Sequence, residues 1–374
     1  MHCPHRPPCP GCPRFAEPGI PSDAARALAR LALEARLPAP RVVEGPAFGW
    51  RGRARLAVRG RAASPKVGIF QEGSHRIVDI PHCLVHHPLV NRVAAAVKHA
   101  VRATGTMPYA DRPHTGVLRY VQVVVERRSE RAQVVLVANA DEPASCAPLA
   151  ERLADELDGA LHSLWWNGQP ARTNAILGPH WHRWSGAEAV CEEMGGAGIF
   201  FPPGAFGQAN ASLADALVTQ VAAWVPDGAT VTELYAGCGA IGLGLLARAA
   251  RVAFNEVVPD ALAGLALGIA ARPAAERARA EILAGPAAGF VDRLPDADVV
   301  IVDPPRKGLD APVLARLVES PPRRLIAVSC NLDAFVREAR TLLDAGRLTL
   351  TALVPFALFP HTAHVETVAL FERR

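Results

Sequence analysis

The stretch from Thr230 to Gly242 restricts the fold of this chain more than any other part of the sequence. A segment with the pattern of a buried strand begins at Thr230 and runs directly into the glycine motif Gly237-x-Gly239-x-x-Gly242. An Ala- and Leu-rich segment follows, which we predict as a helix, and strand, turn and helix then alternate towards the C-terminus. This order is typical of a doubly wound α/β sheet with parallel strands.

The glycine motif also predicts a cofactor site. Glycines let the backbone approach a cofactor, and Glu256 ends the next predicted strand, Val252–Glu256, where its carboxylate can accept from ribose hydroxyls. Nicotinamide enzymes and S-adenosylmethionine enzymes both need these features. The turn Asp303-Pro-Pro-Arg306 favours S-adenosylmethionine, because its prolines fix the direction of the Asp303 carboxylate and dehydrogenases have no use for such a turn.

The following strand, Ile326–Ser329, leads into Cys330 and then Asn331. The end of a strand in an open α/β sheet faces the crevice where such folds bind ligands. A free cysteine is most often an inert, half-buried thiol. The position of Cys330 after the Asp303 turn favours a catalytic thiol instead.

The C-terminal segment predicts a hairpin that covers the same edge of the sheet. Its strands are Leu348–Leu353 and Val365–Phe371, and Glu366 lies within the second one. A glutamate in an apolar strand is costly unless it is paired or used, so we expect Glu366 close to Cys330. We interpret the two histidines of the connecting loop as structural or hydrogen-bonding groups: His361 and His364.

The N-terminus carries a candidate metal site. Cys3, Cys9 and Cys12 form a C-x5-C-x2-C motif in a proline-rich segment, and Cys83 is the next cysteine in the chain. Four thiolates can hold a 4Fe-4S cluster. Zinc remains an alternative, as does the absence of any metal. The sequence offers these nearby histidines as zinc ligands: His2, His5, His82, His86 and His87.

A strand rich in arginine follows, with small or apolar residues between most of the arginines. No acidic residue lies between Glu44 and Glu72, so the sequence provides no local partner for these cations. A row of unpaired guanidinium groups suits an RNA phosphate backbone, although an ordinary solvated sheet face has the same pattern. The candidate RNA-binding residues are Arg51, Arg53, Arg55 and Arg59.

The remaining patterns divide the chain into three parts: a cysteine-rich segment with a helix at 1–45, an α+β RNA-binding domain at 46–197, and a cofactor-binding domain at 198–374. Within them we predict a helix over Asp23–Arg36 with Ser22 as its cap, a hairpin of Leu118–Glu126 and Ala132–Ala138, a helix over Cys146–Leu157 and a strand over Leu161–Trp166.

Composition excludes several classes of protein. The net charge of +4 is modest, no apolar run is long enough for a membrane span, and eight cysteines in 374 residues do not make a secreted disulfide scaffold. We therefore expect a cytoplasmic protein that does not enter membranes, and we expect it to be monomeric.

Taken together, these motifs resemble the RNA 5-methyluridine methyltransferases. That family combines Asp-Pro-Pro-Arg, Ser-Cys-Asn and Phe-Pro-His-Thr-x-His-x-Glu, which stand here at 303–306, 329–331 and 359–366. The family's Phe-x-Gln-x-Asn motif appears at 206–210. The cysteine pattern of Cys3, Cys9, Cys12 and Cys83 is similar to the family's as well, so the resemblance covers nearly the whole chain.

The resemblance implies a Rossmann-like class I methyltransferase sheet preceded by an α+β RNA-binding domain with a 4Fe-4S cluster. It implies S-adenosylmethionine-dependent methylation of uracil carbon 5 in RNA, with Cys330 as the nucleophile that adds to carbon 6 and Glu366 as the base. The implied cofactor-binding residues are Gln208, Tyr235, Gly237, Glu256 and Asp303.

Two departures bear on the substrate and the cofactor site. No barrel-like domain precedes Cys3, which makes the chain similar to the shorter branch that acts on 23S ribosomal RNA, although tRNA stays open. Tyr235-Ala-Gly stands where the family often has Phe-Cys-Gly, a change that should alter stacking little.

Three alternative functions fit the sequence less well. A 5-methylcytosine methyltransferase should have a cysteine where Arg306 stands, and a small-molecule methyltransferase has no need of the arginine strand. The third rival is an iron-sulfur RNA-binding protein whose methyltransferase domain is silent, which the intact candidate site residues argue against.

Overall fold

The computed structural model describes residues 2–374. The helices are α1 (Ser22–Glu34), α2 (Pro88–Thr104), α3 (Ala147–Glu156), α4 (Ala211–Ala223), α5 (Pro259–Ala270), α6 (Ala274–Arg277), α7 (Ala311–Glu319) and α8 (Leu332–Asp344). Short 3-10 helices span Pro143–Cys146, Leu243–Ala247 and Ala287–Asp296.

The strands of the first half are β1 (Arg53–Arg61), β2 (Ser64–Phe70), β3 (Ile77–Asp79), β4 (Leu118–Glu126), β5 (Arg131–Ala138), β6 (Leu161–Gly168), β7 (His180–Gly186), β8 (Val190–Met194) and β9 (Ala197–Phe201). The strands of the second half are β10 (Thr230–Leu234), β11 (Arg251–Glu256), β12 (Ala280–Ala284), β13 (Val299–Val302), β14 (Arg324–Ser329), β15 (Leu348–Phe356) and β16 (Glu366–Arg373).

The chain divides into two compact units. Unit 1 contains residues 1–16, 46–192 and 202–211, and unit 2 contains residues 17–45, 193–201 and 212–374. This division differs from the predicted one, because residues 17–45 belong to the second unit. The physical reason is helix α1, whose apolar face, including Leu28 and Leu31, is buried in the core of unit 2.

Unit 1 is built on a seven-stranded sheet in the order β3-β2-β1-β4-β5-β6-β7. Its neighbours are antiparallel except β5 and β6, which run parallel because helix α3 connects them. Helices α2 and α3 contribute Val93, Val97 and Leu153 to a core that also takes in Leu56 of β1. One face of the sheet is therefore covered by helices, and residues such as Arg55 lie on the other.

Unit 2 is built on a seven-stranded sheet in the order β12-β11-β10-β13-β14-β16-β15. The first five strands are parallel, and β16 inserts antiparallel between β14 and β15. The doubly wound sheet predicted from the sequence is confirmed. The reversed strand distinguishes it from the 3-2-1-4-5-6 order of dinucleotide-binding folds.

Most predicted elements are present, and two differ. Helix α1 begins at Ser22, so this residue lies inside the helix and provides no side-chain cap. The helix predicted after the glycine motif is only the five-residue 3-10 turn Leu243–Ala247. Gly244 explains the difference: an added Cβ would lie 2.1 Å from the Gly195 carbonyl oxygen, and a glycine needed for close packing weakens helix propensity.

Among residues 2–374, no helix is long and apolar enough to cross a bilayer.

Candidate active site

The carboxyl edge of the unit 2 sheet brings together the predicted site residues of this unit. Tyr235 follows β10, Glu256 ends β11, Asp303 follows β13 and Cys330 follows β14. The strand order reverses between β10 and β13, and ligands of doubly wound sheets bind at such a switch point. The edge is therefore the candidate active site.

Cys330 and Glu366 lie at neighbouring ends of the adjacent strands β14 and β16. Ser329 of β14 pairs with Thr367 of β16 in antiparallel register, Cys330 and Glu366 are the next residues beyond this pair, and the Glu366 carboxyl group interacts electrostatically with the thiol. The Glu366 side chain is almost fully buried, with 2% of its surface exposed, while Cys330 is half-buried. The sequence analysis expected Glu366 close to Cys330, and the role of Glu366 as a base stays a prediction.

The environment of Cys330 favours the neutral thiol. Burial raises its pKa above the usual value, and the carboxyl groups of Glu366 and Asp303 raise it further. The Arg306 guanidinium opposes these effects and lowers the pKa. Asp303 and Arg306, the two charged residues of this turn, therefore shift the thiol pKa in opposite directions.

Asp303 lies within electrostatic reach of two other buried carboxyl groups, Glu366 and Glu233. Burial raises the pKa of Asp303 to about 6, and burial together with Asp303 raises the pKa of Glu366 well above its ordinary value. Glu233 of β10 is 1% exposed, and its pKa is also raised well above normal by burial and then by Asp303. Carboxyl groups this close cannot all ionise together, so the site holds protons at neutral pH.

Sequence analysis missed Glu233. It lies in the apolar strand Thr230–Leu234, and the argument that singled out Glu366 in its own strand applies to it equally. Within residues 2–374, the Glu233 Oε2 atom has no hydrogen-bond partner.

The residues around Cys330 hold the Asp303 turn in place. The Asn331 side chain caps α8 by accepting from Asp333 N at 3.1 Å and Ala334 N at 3.2 Å, and it donates to the Arg306 carbonyl at 2.9 Å. Asn331 thus joins the thiol strand to the turn of the neighbouring strand.

Glu338 of α8 binds the backbone just after the same turn, which is another role that the sequence analysis did not predict. Its Oε1 atom accepts from Leu309 N at 3.0 Å, and a Cβ on Gly308 would lie 1.9 Å from that oxygen. Gly308 has a positive φ of 86°. Only glycine therefore suits both the conformation and the close approach of the carboxylate.

The glycine motif leaves room for a cofactor. Gly237 has a φ of 58°, and a Cβ placed on it would meet nothing within 4 Å, so its backbone faces open space. Glu256 accepts from Gly237 N through Oε2 at 2.8 Å, and from Val257 N and Val258 N through Oε1. A carboxylate has about four acceptor positions, so one remains for a ligand hydroxyl.

Tyr235 is bound to the turn that precedes α7. It has a positive φ of 59°, and its hydroxyl donates to Asp310 Oδ2 at 3.1 Å and accepts from Asp310 N at 3.2 Å. Burial is the main cause that raises its pKa to about 12.

Gln208 belongs to unit 1, unlike the other predicted cofactor residues. Its side-chain oxygen is buried and has no hydrogen-bond partner within residues 2–374. A buried amide oxygen without a partner is costly, and the role of Gln208 as a cofactor ligand stays a prediction.

The four candidate cluster ligands belong to unit 1 and influence one another. The pKa of the Cys12 thiol is raised to about 11 by burial and also by Cys83, Cys9 and Cys3. Burial raises the pKa of Cys9 and of Cys83 as well. Nevertheless, in residues 2–374 no three or more His, Cys, Asp or Glu side chains are arranged to hold a metal ion.

The histidines near these cysteines have structural partners. The His5 ring accepts from His82 N at 3.2 Å, and His87 caps α2 by accepting from Leu89 N. His86 contacts Asn91, and burial is the main cause that lowers its pKa to about 4.

The arginine strand is less uniform than expected. Arg59 is 8% exposed and forms a two-bond ion pair with Asp111, at 2.9 and 3.2 Å. Its guanidinium also stacks on the rings of Phe70, Tyr109 and Tyr120. The premise that these arginines lack acidic partners was wrong for Arg59, because tertiary contacts supply a carboxylate from 52 residues along the chain.

The side chains of the other three candidate arginines are partly or largely exposed, and two of them donate hydrogen bonds to uncharged groups. Arg55 is exposed and donates to the Gln122 amide oxygen at 2.6 Å, and Arg53 donates to the Ala205 carbonyl at 2.9 Å. Arg51 lies over the Trp50 ring at 4.9 Å and close enough to Cys83 and Cys12 to interact with them electrostatically. Burial lowers the pKa of Arg51.

Comparison with solved structures supports the class of fold. The chain is similar to a crystal structure of the Pyrococcus abyssi tRNA (uracil-54, C5)-methyltransferase in complex with S-adenosyl-L-homocysteine, with a TM-score of 0.76 and 24% identity. The match covers 93% of this chain and 83% of that chain. The fold and the edge site together define an α/β methyltransferase with a Rossmann-like sheet.

Sequence comparisons place the chain within that class. Residues 293–374 match the family model of tRNA (uracil-5-)-methyltransferases. An uncharacterised RNA methyltransferase of Protochlamydia amoebophila is 35% identical over 100% of this chain and 98% of its own length. Another, from Geobacter sulfurreducens, is 31% identical over 91% of this chain and 68% of its own length. The chain therefore belongs to the RNA methyltransferase family of these relatives.

The electrostatics of Cys330 give a testable pH dependence. Replacing Arg306 by alanine removes the cation that lowers the thiol pKa, so the pKa rises and the thiolate fraction falls at any pH below it. We expect alkylation of Cys330 by iodoacetamide at pH 8 to slow about two- to fivefold, the range for a partly solvated charge pair. Mass spectrometry of the Cys330 peptide measures the rate.

Lys307→Ala is the matched control, because Lys307 is the adjacent cation and pairs with Asp310 at 2.6 Å. Its alkylation rate should equal that of the wild type. An unchanged or faster reaction in Arg306→Ala would contradict the assignment.

Proposed function

We propose that the protein methylates carbon 5 of a uracil in RNA through a transient covalent bond between Cys330 and carbon 6 of the base. The observation that carries this proposal is the placement of Cys330 opposite Glu366, with Asp303 in electrostatic reach of both. A nucleophile, a base and a third polar group on one crevice edge meet the needs of covalent catalysis on a pyrimidine.

Carbon 5 of uracil is too weak a nucleophile to accept a methyl group unaided. Addition of the Cys330 thiolate to carbon 6 converts the ring into an enolate with a nucleophilic carbon 5. S-adenosylmethionine, when bound, would supply the methyl group to carbon 5 by loss of its methyl–sulfur bond and would leave as S-adenosylhomocysteine. After methylation, Glu366 removes the proton from carbon 5, the carbon–sulfur bond breaks, and the thiolate of Cys330 is restored.

In the free protein, the two groups proposed to react, Cys330 and Glu366, are protonated at neutral pH. Asp303 is ionised at neutral pH, whereas the raised pKa values of Glu366 and Cys330 keep their protons in place. A cation held at this edge offsets the burial and the like charges that raise these pKa values. We therefore expect the reactive forms of Cys330 and Glu366 to be populated in the complex.

The donor set at the edge suits S-adenosylmethionine. Gly237 would leave space against its backbone, and Glu256 would use its remaining acceptor position for a ribose hydroxyl. The anionic group around Asp303 would attract a sulfonium cation. Asp303 could also read the polar edge of a uracil that has left its stack. Tyr235 and Gln208 stay candidate cofactor residues from the family motif.

Two substitutions test the mechanism. Cys330→Ala should lower methylation at least about 1,000-fold, the loss expected on removal of a covalent nucleophile. Glu366→Gln should accumulate the methylated adduct, visible as an RNA-protein band that resists denaturing electrophoresis. Cys191→Ala is the control for loss of a thiol.

Full turnover by Cys330→Ala would refute the thiol assignment. Tight RNA binding by Glu366→Gln without an adduct would move the role of base to another residue.

We propose a uridine of 23S ribosomal RNA as the target, on the resemblance of the chain to that branch of the family. Arg51, Arg53 and Arg55 are the candidate phosphate contacts, and Arg59 is no longer among them because its charge is internally paired. The purified enzyme with tritiated S-adenosylmethionine should label 23S RNA transcripts at carbon 5 of uridine. Preferential labelling of tRNA transcripts would overturn this choice of substrate.

We also propose that Cys3, Cys9, Cys12 and Cys83 hold a 4Fe-4S cluster. Cys3, Cys9 and Cys83 all act electrostatically on the Cys12 thiol, and four such sulfurs make a donor set suited to a cluster. The cluster would join the N-terminal segment to the loop that begins at Cys83, and we assign it no catalytic step.

Anaerobically purified protein should contain about four irons and four sulfides per chain with broad visible absorbance. Cys12→Ala should lose most of the iron, while Cys146→Ala, which removes a buried cysteine away from the site, should keep it. A colourless protein with stoichiometric zinc would disprove the cluster. A cytoplasmic location and a monomeric state remain part of the proposal.

A further inference from the structure

The edge of the unit 1 sheet carries two partly exposed tryptophans and an exposed arginine. Trp165 lies in β6, and Trp181 and Arg183 lie in β7, the edge strand. We refer to these three residues as the tryptophan surface. Neither the family motifs nor the proposed catalytic residues include them.

The strand register puts the three side chains on one face. Trp165 is paired with Arg183, and Asn167 is paired with Trp181, in the antiparallel β6–β7 ladder. Directly opposed residues share a face, and residues two apart along a strand share it too. This is the face opposite the helices, because Trp166, which points the other way, is 2% exposed and belongs to the core with α2 and α3.

The rings of the tryptophan surface contact one another. The centroids of Trp165 and Trp181 are 6.4 Å apart with planes at 84°, and the Arg183 guanidinium carbon is 5.6 Å from the Trp165 centroid. Trp165 Nε1 donates to Ser163 Oγ at 3.2 Å, which fixes the ring orientation. The surface is therefore ordered before any ligand binds.

The chain segment that carries this surface contains arginines and no acidic residue. The sequence has no Asp or Glu between Asp158 and Glu188, a stretch that contains four of the six tryptophans of the chain. Arg172 and Arg183 lie in that stretch with exposed side chains.

Packing in the hydrophobic core explains only two of the four tryptophans in this stretch. Trp166 is buried in the core and Trp184 packs against it, as expected for large apolar rings. Trp165 of β6 and Trp181 of the edge strand β7 instead keep part of their surface in solvent, and the Arg183 guanidinium lies over the Trp165 ring. Exposed aromatic rings interleaved with positive charge are the composition with which proteins stack unpaired nucleic-acid bases and neutralise their phosphates.

We propose that the tryptophan surface binds unpaired RNA, with a base stacked on Trp181 and the adjoining phosphate held by Arg183. This inference rests on the proposed function, since it assumes that the protein engages RNA, and it adds a binding site away from the reacting uracil. Stacking on an indole tolerates any base, so the surface contributes affinity and positioning rather than the choice of uridine.

Binding of a fluorescein-labelled single-stranded oligoadenylate, followed by anisotropy, tests the surface on the full chain. Trp181→Ala should weaken binding about 10-fold, within the range measured for loss of one stacked base. Arg183→Ala should weaken it and reduce the slope of log affinity against log salt by about one. The same RNA annealed to its complement should bind wild type and Trp181→Ala alike, because a duplex offers no free base.

Controls separate stacking from folding. Trp181→Phe keeps an aromatic face and should bind RNA within about twofold of the wild type. Arg102→Ala removes an exposed cation from the end of α2, the helix that packs on the opposite face of the sheet, and should change affinity little. Thermal melting of Trp181→Ala and Trp181→Phe shows whether the edge strand stays folded.

Methylation assays distinguish failure of this inference from failure of the proposed function. At saturating RNA the Trp181→Ala enzyme should keep the wild-type turnover rate, with only KM for RNA increased. Wild-type RNA affinity in Trp181→Ala and Arg183→Ala, in an enzyme that methylates RNA, overturns the tryptophan surface alone. Weakened RNA binding in a protein that never methylates uracil overturns the proposed reaction and leaves the surface standing. A change of oligomeric state without a change in RNA affinity would identify the strand as a protein contact and refute the inference.

Discussion

Concentration of carboxyl groups beside a thiol is the constraint on which the site of this protein depends. Glu233, Asp303 and Glu366 each end up buried or half-buried at one edge of a sheet, where like charges and loss of water both favour protons over ionisation. Such an arrangement is unfavourable for an empty protein at neutral pH. It becomes favourable when a cation occupies the edge, which is the requirement of an enzyme that uses a sulfonium methyl donor.

The second requirement is a rigid frame around these groups, and the backbone near Cys330 supplies it. Asn331 binds the Asp303 turn through the Arg306 carbonyl, and Glu338 binds it through Leu309 N. Gly308 permits the close approach of the Glu338 carboxylate. Asn331 and Glu338 therefore hold the chain that follows Asp303 through hydrogen bonds between neighbouring βα units.

Unit 1 illustrates how tertiary contacts divide residues of one type between different tasks. The arginines of β1 have a regular spacing, yet Asp111 and three aromatic rings enclose Arg59, whereas Arg55 keeps an exposed side chain. The tryptophans around β6 and β7 divide in the same way, with Trp166 in the core and Trp181 partly in solvent. For the tryptophans, alternation along the strand decides which face a side chain occupies. Arg55 and Arg59, four residues apart on β1, share a face, and their different local contacts decide their roles.

The sequence by itself determined the doubly wound sheet, the order of its strands along the chain and the family, because glycine turns, apolar strands and the turns that carry Asp303 and Cys330 are local features. It also singled out Glu366, since a carboxylate in an apolar strand is visible without coordinates. Only the tertiary structure decided that Glu366 faces Cys330, that Glu233 joins the buried carboxyl groups, that α1 packs on unit 2 and that Asp111 neutralises Arg59. These facts depend on strand register and on contacts between residues far apart in the chain, and no local pattern encodes them.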